Sequence, residues 1–173
     1  MDLQAVEKAI GQRLPEDMRN FLLETAGKII FDWGFNEEVP AESPVEWGSI
    51  YFDLSQIPEW EDGRQSWASN VFPDINDEYD AVWHDKIAFQ HVVNGDLIAL
   101  DSQGQVVYLS HEDGDGHGVV LASTFTKFMT EWLRLGCPGP EDDDLLAFQS
   151  SPGGPIDSRS GAGTAWRALL GRE

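Results

Sequence analysis

Cysteine, long apolar runs and basic residues are all scarce in this chain of 173 residues. The single cysteine, Cys137, excludes an intramolecular disulfide and a zinc site built from several thiolates. No apolar run reaches the roughly 18 residues that a membrane-spanning helix needs, so no membrane partner is expected. The start of the chain, Met1-Asp2-Leu3-Gln4, has no basic or apolar signal region. We therefore expect no signal peptide and a cytoplasmic location.

The scarcity of basic residues is greatest in the middle of the chain. Between residues 29 and 118 only Arg64 and Lys86 accompany 19 acidic residues, so this stretch carries −17 of the formal net charge of −20. Such a charge repels nucleic acid and attracts cationic proteins, so no nucleic-acid partner is expected. Acidity that serves only solubility is the alternative. The concentration of charge in one stretch favours a displayed anionic surface.

Apolar residues follow helical spacing at the start of the chain and later alternate as in strands. Leu3, Val6, Ile10 and Leu14 form one helical stripe, and a second short helix is expected from Pro15 onward. Short β-favouring runs follow at 29–31 and 49–52. Segments 86–92, 96–100 and 105–109 predict an antiparallel meander, and Asn94-Gly95 predicts a two-residue turn.

A helix from Phe125 to Leu133, ended by Gly136, is expected to cover this sheet. The pattern predicts the α+β class: a mainly antiparallel twisted sheet with N-terminal helices and a covering C-terminal helix. We expect one domain over residues 1–136. The Pro/Gly/Ser-rich extension, residues 137–173, is expected to be partly flexible, with Trp166 in a terminal turn that docks back.

The segment 74–85, expected to be a loop, combines five acidic residues with two aromatic ones. They are Asp74, Asp77, Glu78, Tyr79, Asp80, Trp83 and Asp85. Carboxylates and aromatic rings both bind Arg and Lys, so this mixture is typical of a patch that holds a cationic partner. The alternative is a solvated loop whose aromatic residues pack inward.

A second acidic group, Glu112, Asp113 and Asp115, lies in the Gly-rich segment from His111 to Gly118. The residues His111, Asp113, Asp115 and His117 also allow a metal-dependent hydrolase. Their spacing matches neither an EF-hand loop nor H-E-x-x-H, so a solvated loop is favoured and no metal is expected. The sequence has no G-x-S-x-G, no P-loop and no G-x-G-x-x-G after a strand, so neither an enzyme nor a cofactor is expected.

Three segments resemble the SUKH immunity superfamily, in its Smi/Knr-like clade. Ile10 to Leu22, with Gly11 and Leu14-Pro15, is similar to the opening of the family. Gly95 to Asp101, with the following strand and turn, looks like its central hairpin, and Phe125 to Leu133 resembles its closing helix. The similarity spans residues 3 to about 136 in the order of the family.

The resemblance implies a twisted sheet flanked by helices and a bacterial immunity protein against polymorphic toxins, often nucleases. It brings no catalytic residue and no cofactor. The charge pattern agrees, because a nuclease site attracts phosphate and is usually basic, so an acidic protein can block it. We therefore expect the two acidic groups to bind a cognate toxin with a cationic surface. A non-catalytic regulatory or scaffold adaptor of the same fold is the alternative.

Overall fold

The computed structural model describes residues 2–25, 27–35, 38–41, 43–112 and 114–171. Within these residues the chain forms seven α-helices and six strands. The helices are α1 Leu3–Ile10, α2 Glu16–Thr25, α3 Ile57–Asn70, α4 Glu78–Val82, α5 Phe125–Arg134, α6 Asp142–Leu146 and α7 Gly161–Leu169. The strands are β1 Lys28–Gly34, β2 Trp47–Asp53, β3 Lys86–His91, β4 Leu97–Asp101, β5 Val106–Leu109 and β6 Val120–Ala122. The predicted α+β class is confirmed.

The strands divide into two antiparallel sheets. β1 pairs with β2 in a two-stranded sheet, and β3-β4-β5-β6 form a four-stranded meander in chain order. The meander is buried along nearly all of β3, β4 and β5 because helices cover it. α3 packs along β3, and α5 contributes Phe125, Phe128 and Trp132 to the main core.

The predicted N-terminal helices are present, with the expected local signals. Asp2 caps α1 by accepting a hydrogen bond from the Ala5 amide at 2.7 Å, and Gly11 follows the helix in the left-handed conformation. Val6 and Leu14 from the predicted apolar stripe are buried in the main core. The amphipathic pattern therefore placed this helix correctly.

The turn between β3 and β4 differs from the prediction. The Gly95 amide donates to the Val92 carbonyl and the Val92 amide donates to the Asp96 carbonyl, so the loop has three residues. Gly95 alone has a positive φ, of 104°, and Asn94 does not. The connection is therefore a three-residue hairpin loop, in which a turn is followed by a glycine in the bulge position. The predicted two-residue turn would require a positive φ at both Asn94 and Gly95.

The extension after residue 136 packs against the rest of the chain. Ile156 is in the main core, and its amide donates to the Leu121 carbonyl at 3.0 Å. Phe148 and Trp166 are buried in a separate cluster with Val45 and Leu135. Within this extension, the serine- and glycine-rich stretch 150–163 forms turns and the first residues of α7. Among the described residues, no helix is long and apolar enough to cross a bilayer.

Candidate binding surface

The acidic segment 74–85 is partly helical, which corrects the expectation of a loop throughout. Asp77 caps α4, because its carboxylate accepts hydrogen bonds from the amides of Tyr79 at 2.9 Å and Asp80 at 3.1 Å. Asp80 in turn accepts from the Asp74 amide at 3.0 Å. An acidic cap and acidic first turn suit the positive end of a helix. The carboxylates of Asp77 and Asp80 therefore fix the segment as well as charging it.

Most of the acidic side chains of this segment face solvent. Asp74, Asp77, Glu78 and Asp85 are exposed, and Asp80 is half-buried. Among the described residues, no Lys or Arg nitrogen lies within 4.0 Å of any of these carboxylates. Their negative charge is not neutralised by a local ion pair.

Tyr79 joins α4 to the second acidic segment. Its hydroxyl lies 2.7 Å from the Ser110 carbonyl oxygen and 2.5 Å from the Glu112 carbonyl oxygen. Its ring stacks on the imidazole of His117, with ring centroids 3.7 Å apart. The two acidic groups predicted from the sequence are thus held side by side.

His117 connects the same two segments through its ring nitrogens. The Ser110 amide donates to Nδ1 at 3.1 Å, so the neutral ring carries its proton on Nε2, which donates to the Tyr79 carbonyl at 3.0 Å. Burial lowers the pKa of His117, because a charged imidazolium loses solvation there. The neutral imidazole is therefore the form that fits this junction.

Glu112 and Asp115 are both exposed on the loop held by Tyr79 and His117. Glu112 lies 3.7 Å from His111 Nε2 across a solvent-exposed contact. Asp113, predicted with them, lies outside the described residues. Of the second acidic group, two carboxylates thus extend the charged surface that begins at α4.

Trp83 is the exception among the predicted surface residues, since its side chain has no exposed area. It stacks on Phe72 with ring centroids 5.0 Å apart and packs near Trp67, within a second core cluster. The expectation that Trp83 offers a face to a partner is therefore corrected. Here the aromatic side chain packs inward and supports the surface from beneath.

The two basic residues of the acidic stretch are also directed inward. Arg64 is 6% exposed, pairs with Glu61 through Nε at 2.9 Å and Nη2 at 2.6 Å, and donates to the Trp83 carbonyl. Lys86 is half-buried and donates to the His84 carbonyl at 2.9 Å, and burial lowers its pKa. Arg64 is thus neutralised internally, and the outward charge of the segment is left negative.

A buried carboxylate lies behind the second acidic loop. Asp96, 2% exposed, accepts hydrogen bonds from His111 Nδ1 at 2.6 Å, the Tyr108 hydroxyl at 2.9 Å and Asn94 Nδ2 at 2.8 Å. Burial acts to raise the pKa of Asp96, but these hydrogen bonds outweigh it and lower the pKa. Desolvation and the nearby Asp96 charge raise the pKa of Tyr108. This network anchors the loop to the meander.

The alternative of a metal site depends on His111, Asp113, Asp115 and His117. Among the residues the structure describes, no group of three or more His, Cys, Asp and Glu side chains is placed to hold a metal ion. Both imidazoles are committed to hydrogen bonds, His111 with Asp96 and His117 with the backbone. The described geometry therefore gives no support to metal chemistry at this loop.

The sequence profile of the SMI1/KNR4 family (SUKH-1) matches residues 1–131. The chain belongs to this family. Members of SUKH-1 are typically immunity proteins against polymorphic toxins, and the family is generally non-catalytic. No curated protein and no solved structure gives a significant match to the chain.

The SUKH-1 match contains both acidic segments and all six strands, and it leaves residues 132–173 outside. The predicted domain of residues 1–136 ends close to the limit of the match, and this boundary stays a prediction.

The sequence pattern missed the role of Tyr79 and His117 as the junction between the acidic groups. Nothing in the sequence marks this contact, because the two residues are far apart in the chain and the folded arrangement brings them together.

Proposed function

We propose that this protein is an immunity protein that binds and neutralises a cognate polymorphic toxin, without turnover. Membership of SUKH-1 carries this proposal, since the family is typically made of such proteins and is generally non-catalytic. The partner is a toxin with a cationic surface, most simply a nuclease whose active site attracts phosphate. The protein acts in the cytoplasm, where its single cysteine fits a reducing environment.

The acidic surface formed by α4 and the loop 110–118 is the proposed contact region. Asp74, Asp77, Glu78, Glu112 and Asp115 supply exposed carboxylates to it, and Asp80, Asp85 and Asp113 complete the proposed set. The carboxylates of segment 74–85 have no Lys or Arg partner within 4.0 Å among the described residues, so they are available to arginine and lysine of a partner. Trp83 belongs to the core beneath this surface.

The proposed mechanism is steric and electrostatic occlusion. A charge of −17 within one stretch of the chain steers a cationic partner into encounter before short-range contacts form. Tyr79, with its ring packed on His117 and its hydroxyl bonded to the loop, gives the patch a fixed aromatic element. A surface held in place before binding loses little freedom when the toxin docks.

The test is co-expression with the toxin encoded by the neighbouring gene, scored for growth and for co-purification of the two proteins. The proposal predicts rescue of growth and a stable complex. A toxin inactivated at its own active site should still co-purify, because binding requires no turnover. Growth arrest despite expression of the folded protein, with no complex, would contradict an immunity role.

A further inference from the structure

Strand β1 is an edge strand with exposed apolar side chains on both of its faces. Ile30 is 55% exposed on one face and Phe31 is 42% exposed on the other. Across the pair, Ile30 lies opposite Tyr51, itself 49% exposed, while Phe31 lies opposite the buried Ile50. The outer strand therefore projects beyond the core that covers β2.

The outer backbone edge of β1 is open among the residues the structure describes. The sheet contains only β1 and β2, and no hydrogen bond joins the backbone of Lys28–Gly34 to any described residue outside this pair. The strand is seven residues long and has no proline to block pairing. Lys28, the first residue of the strand, donates a hydrogen bond from Nζ to Asp53 Oδ2 at 2.8 Å. Soluble proteins normally protect such edges, because they offer free donors and acceptors to another strand.

The hairpin is held by Gly136 and by the C-terminal extension that follows it, and these contacts fix the edge in place. The Trp33 indole donates to the Gly136 carbonyl, and Gly48 forms an antiparallel bridge with Pro138. Trp33 and Phe35 also pack on the ring of Trp166, with centroids 5.8 Å and 6.2 Å away. The free edge is thus presented by a packed scaffold.

We propose that β1 receives an extended segment of the cationic toxin as an added strand. This inference rests on the proposed function and adds a backbone contact at β1 to the side-chain contacts proposed for the acidic surface. The added segment would cover Ile30 and Phe31 with apolar side chains and place a basic side chain near the exposed Asp32. A second copy of this chain is a poorer occupant, because two bodies of net charge −20 repel each other.

The first experiment uses a synthetic peptide of about 7 residues, a typical strand length, that alternates valine with arginine. Backbone amide shifts of the full-length protein in NMR titration should change along β1. N-methylation of alternate peptide residues in one register should abolish binding, and in the other register should preserve it, because only one set of amides faces the edge. A peptide with glutamate in place of arginine should not bind.

The variant Ile30→Lys supplies the site test, with Val93→Lys as the matched control. Both positions are exposed, at 55% and 78%, and Val93 lies in the β3–β4 loop away from the edge. Ile30→Lys should weaken peptide binding by about tenfold or more, and Val93→Lys should leave it unchanged. Equal binding by both variants, equal binding of both N-methylated peptides, or a dimer in sedimentation that Ile30→Lys dissociates would overturn the inference.

The same pair of variants, mixed with the toxin of the neighbouring gene, separates this inference from the proposed function. Weaker toxin binding by Ile30→Lys alone supports both. Wild-type affinity in Ile30→Lys overturns the strand addition and leaves the immunity role in place. A toxin that binds neither the variants nor the wild-type protein overturns the toxin as partner, even if the peptide still binds β1.

Discussion

The ring of Tyr79 lies on the imidazole of His117, with centroids 3.7 Å apart and the two planes inclined by 16°. One residue comes from α4 and the other from the loop after β5. Their contact unites two acidic segments that are separate in the sequence. The shape of the proposed toxin-binding surface therefore depends on this junction, and its strength can be measured.

Removal of the Tyr79 hydroxyl should weaken the junction. In Tyr79→Phe the Ser110 and Glu112 carbonyls lose a donor, so the free energy of unfolding should fall by about 1 kcal/mol. Tyr51→Phe is the control, since its ring lies on the exposed face of β2, and its change should stay within about 0.5 kcal/mol. Urea unfolding measures both. Equal stability of the two variants would show that the hydroxyl does not hold the loop.

His117 should make the fold less stable as the solution becomes mildly acidic. Burial lowers the pKa of His117 in the folded state below the ordinary value of 6.5. The unfolded chain therefore takes up a proton that the folded chain resists, and stability falls as pH drops through 6.5 and below. In the neutral ring, Nδ1 of His117 accepts a hydrogen bond from the Ser110 amide. Protonation of Nδ1 would place two donors opposite each other.

Comparison with His117→Phe isolates this effect, because phenylalanine retains a ring to stack on Tyr79 but does not titrate. Burial, followed by the nearby acidic residues, raises the pKa of Asp144 to about 6. Protonation of Asp144 therefore increases the free energy of unfolding as pH falls over the same range, which opposes the effect of His117. The quantity to compare is the difference in unfolding free energy between variant and wild type from pH 7.5 to 5. A difference that does not change with pH would contradict the role of His117.

Glu131 should tie the C-terminal extension to α5. It is fully buried, accepts from the Ser158 amide at 2.8 Å, and pairs with Lys127 at 2.6 Å and Arg134 at 3.3 Å. Burial acts to raise the pKa of Glu131, but the hydrogen bonds from Lys127 and Ser158 lower it to about 2. Its stabilising contribution is therefore complete above pH 4.5 and is lost as pH falls from there towards 2.

Glu131→Gln should lower the free energy of unfolding by about 1–3 kcal/mol, because a charge-assisted acceptor is replaced by a neutral one. The loss should disappear at low pH, where the wild-type carboxyl is also protonated. Limited proteolysis should cut the variant faster within residues 150–160. Glu141→Gln, on the half-exposed cap position of α6, is the control. If the variant resists protease as well as the wild-type protein does, Glu131 is not needed to hold the extension against α5.

Trp166 should be needed for the order of the β1–β2 hairpin. It is 1% exposed, donates to the Leu135 carbonyl at 2.7 Å and contacts both Trp33 and Phe35. Trp166→Ala should cost about 3–5 kcal/mol, since it leaves a large cavity. Leu169→Ala, on the same helix and 39% exposed, should cost far less. Hydrogen exchange of β1 and β2 amides would measure the local effect, and unchanged protection in Trp166→Ala would contradict it.

Local signals predicted α1, α5 and the meander because each depends on the spacing of apolar residues within one segment. The prediction of a loop over residues 74–85 was wrong in part, because the high content of acidic residues obscured the role of Asp77 as a helix cap. Trp83 could not be oriented without the meander that buries it. The sequence of Lys28–Gly34 predicts a strand, but it does not show whether another strand pairs with its outer edge. The open edge of β1 therefore could not be predicted.

Contacts over long separations explain the remaining gaps. The hydrogen bond between Glu131 and Ser158, and the ring contacts of Trp166 with Trp33, depend on the folded arrangement of the extension. Composition showed that the middle of the chain is strongly acidic, but not that Arg64 is neutralised inside. The sequence therefore predicts a cationic partner, but it does not predict the geometry of the surface that would bind that partner.

The salt dependence of toxin association tests the acidic surface most directly. The triple variant Glu78→Gln, Glu112→Gln and Asp115→Asn removes three exposed charges and spares the carboxylates that cap α4. The control variant Glu24→Gln, Asp62→Asn and Asp143→Asn changes the net charge equally at exposed positions outside the two acidic segments. At low salt the surface variant should associate about tenfold more slowly than the control, with a shallower dependence on salt. Identical association rates and salt slopes for the two variants would contradict the account.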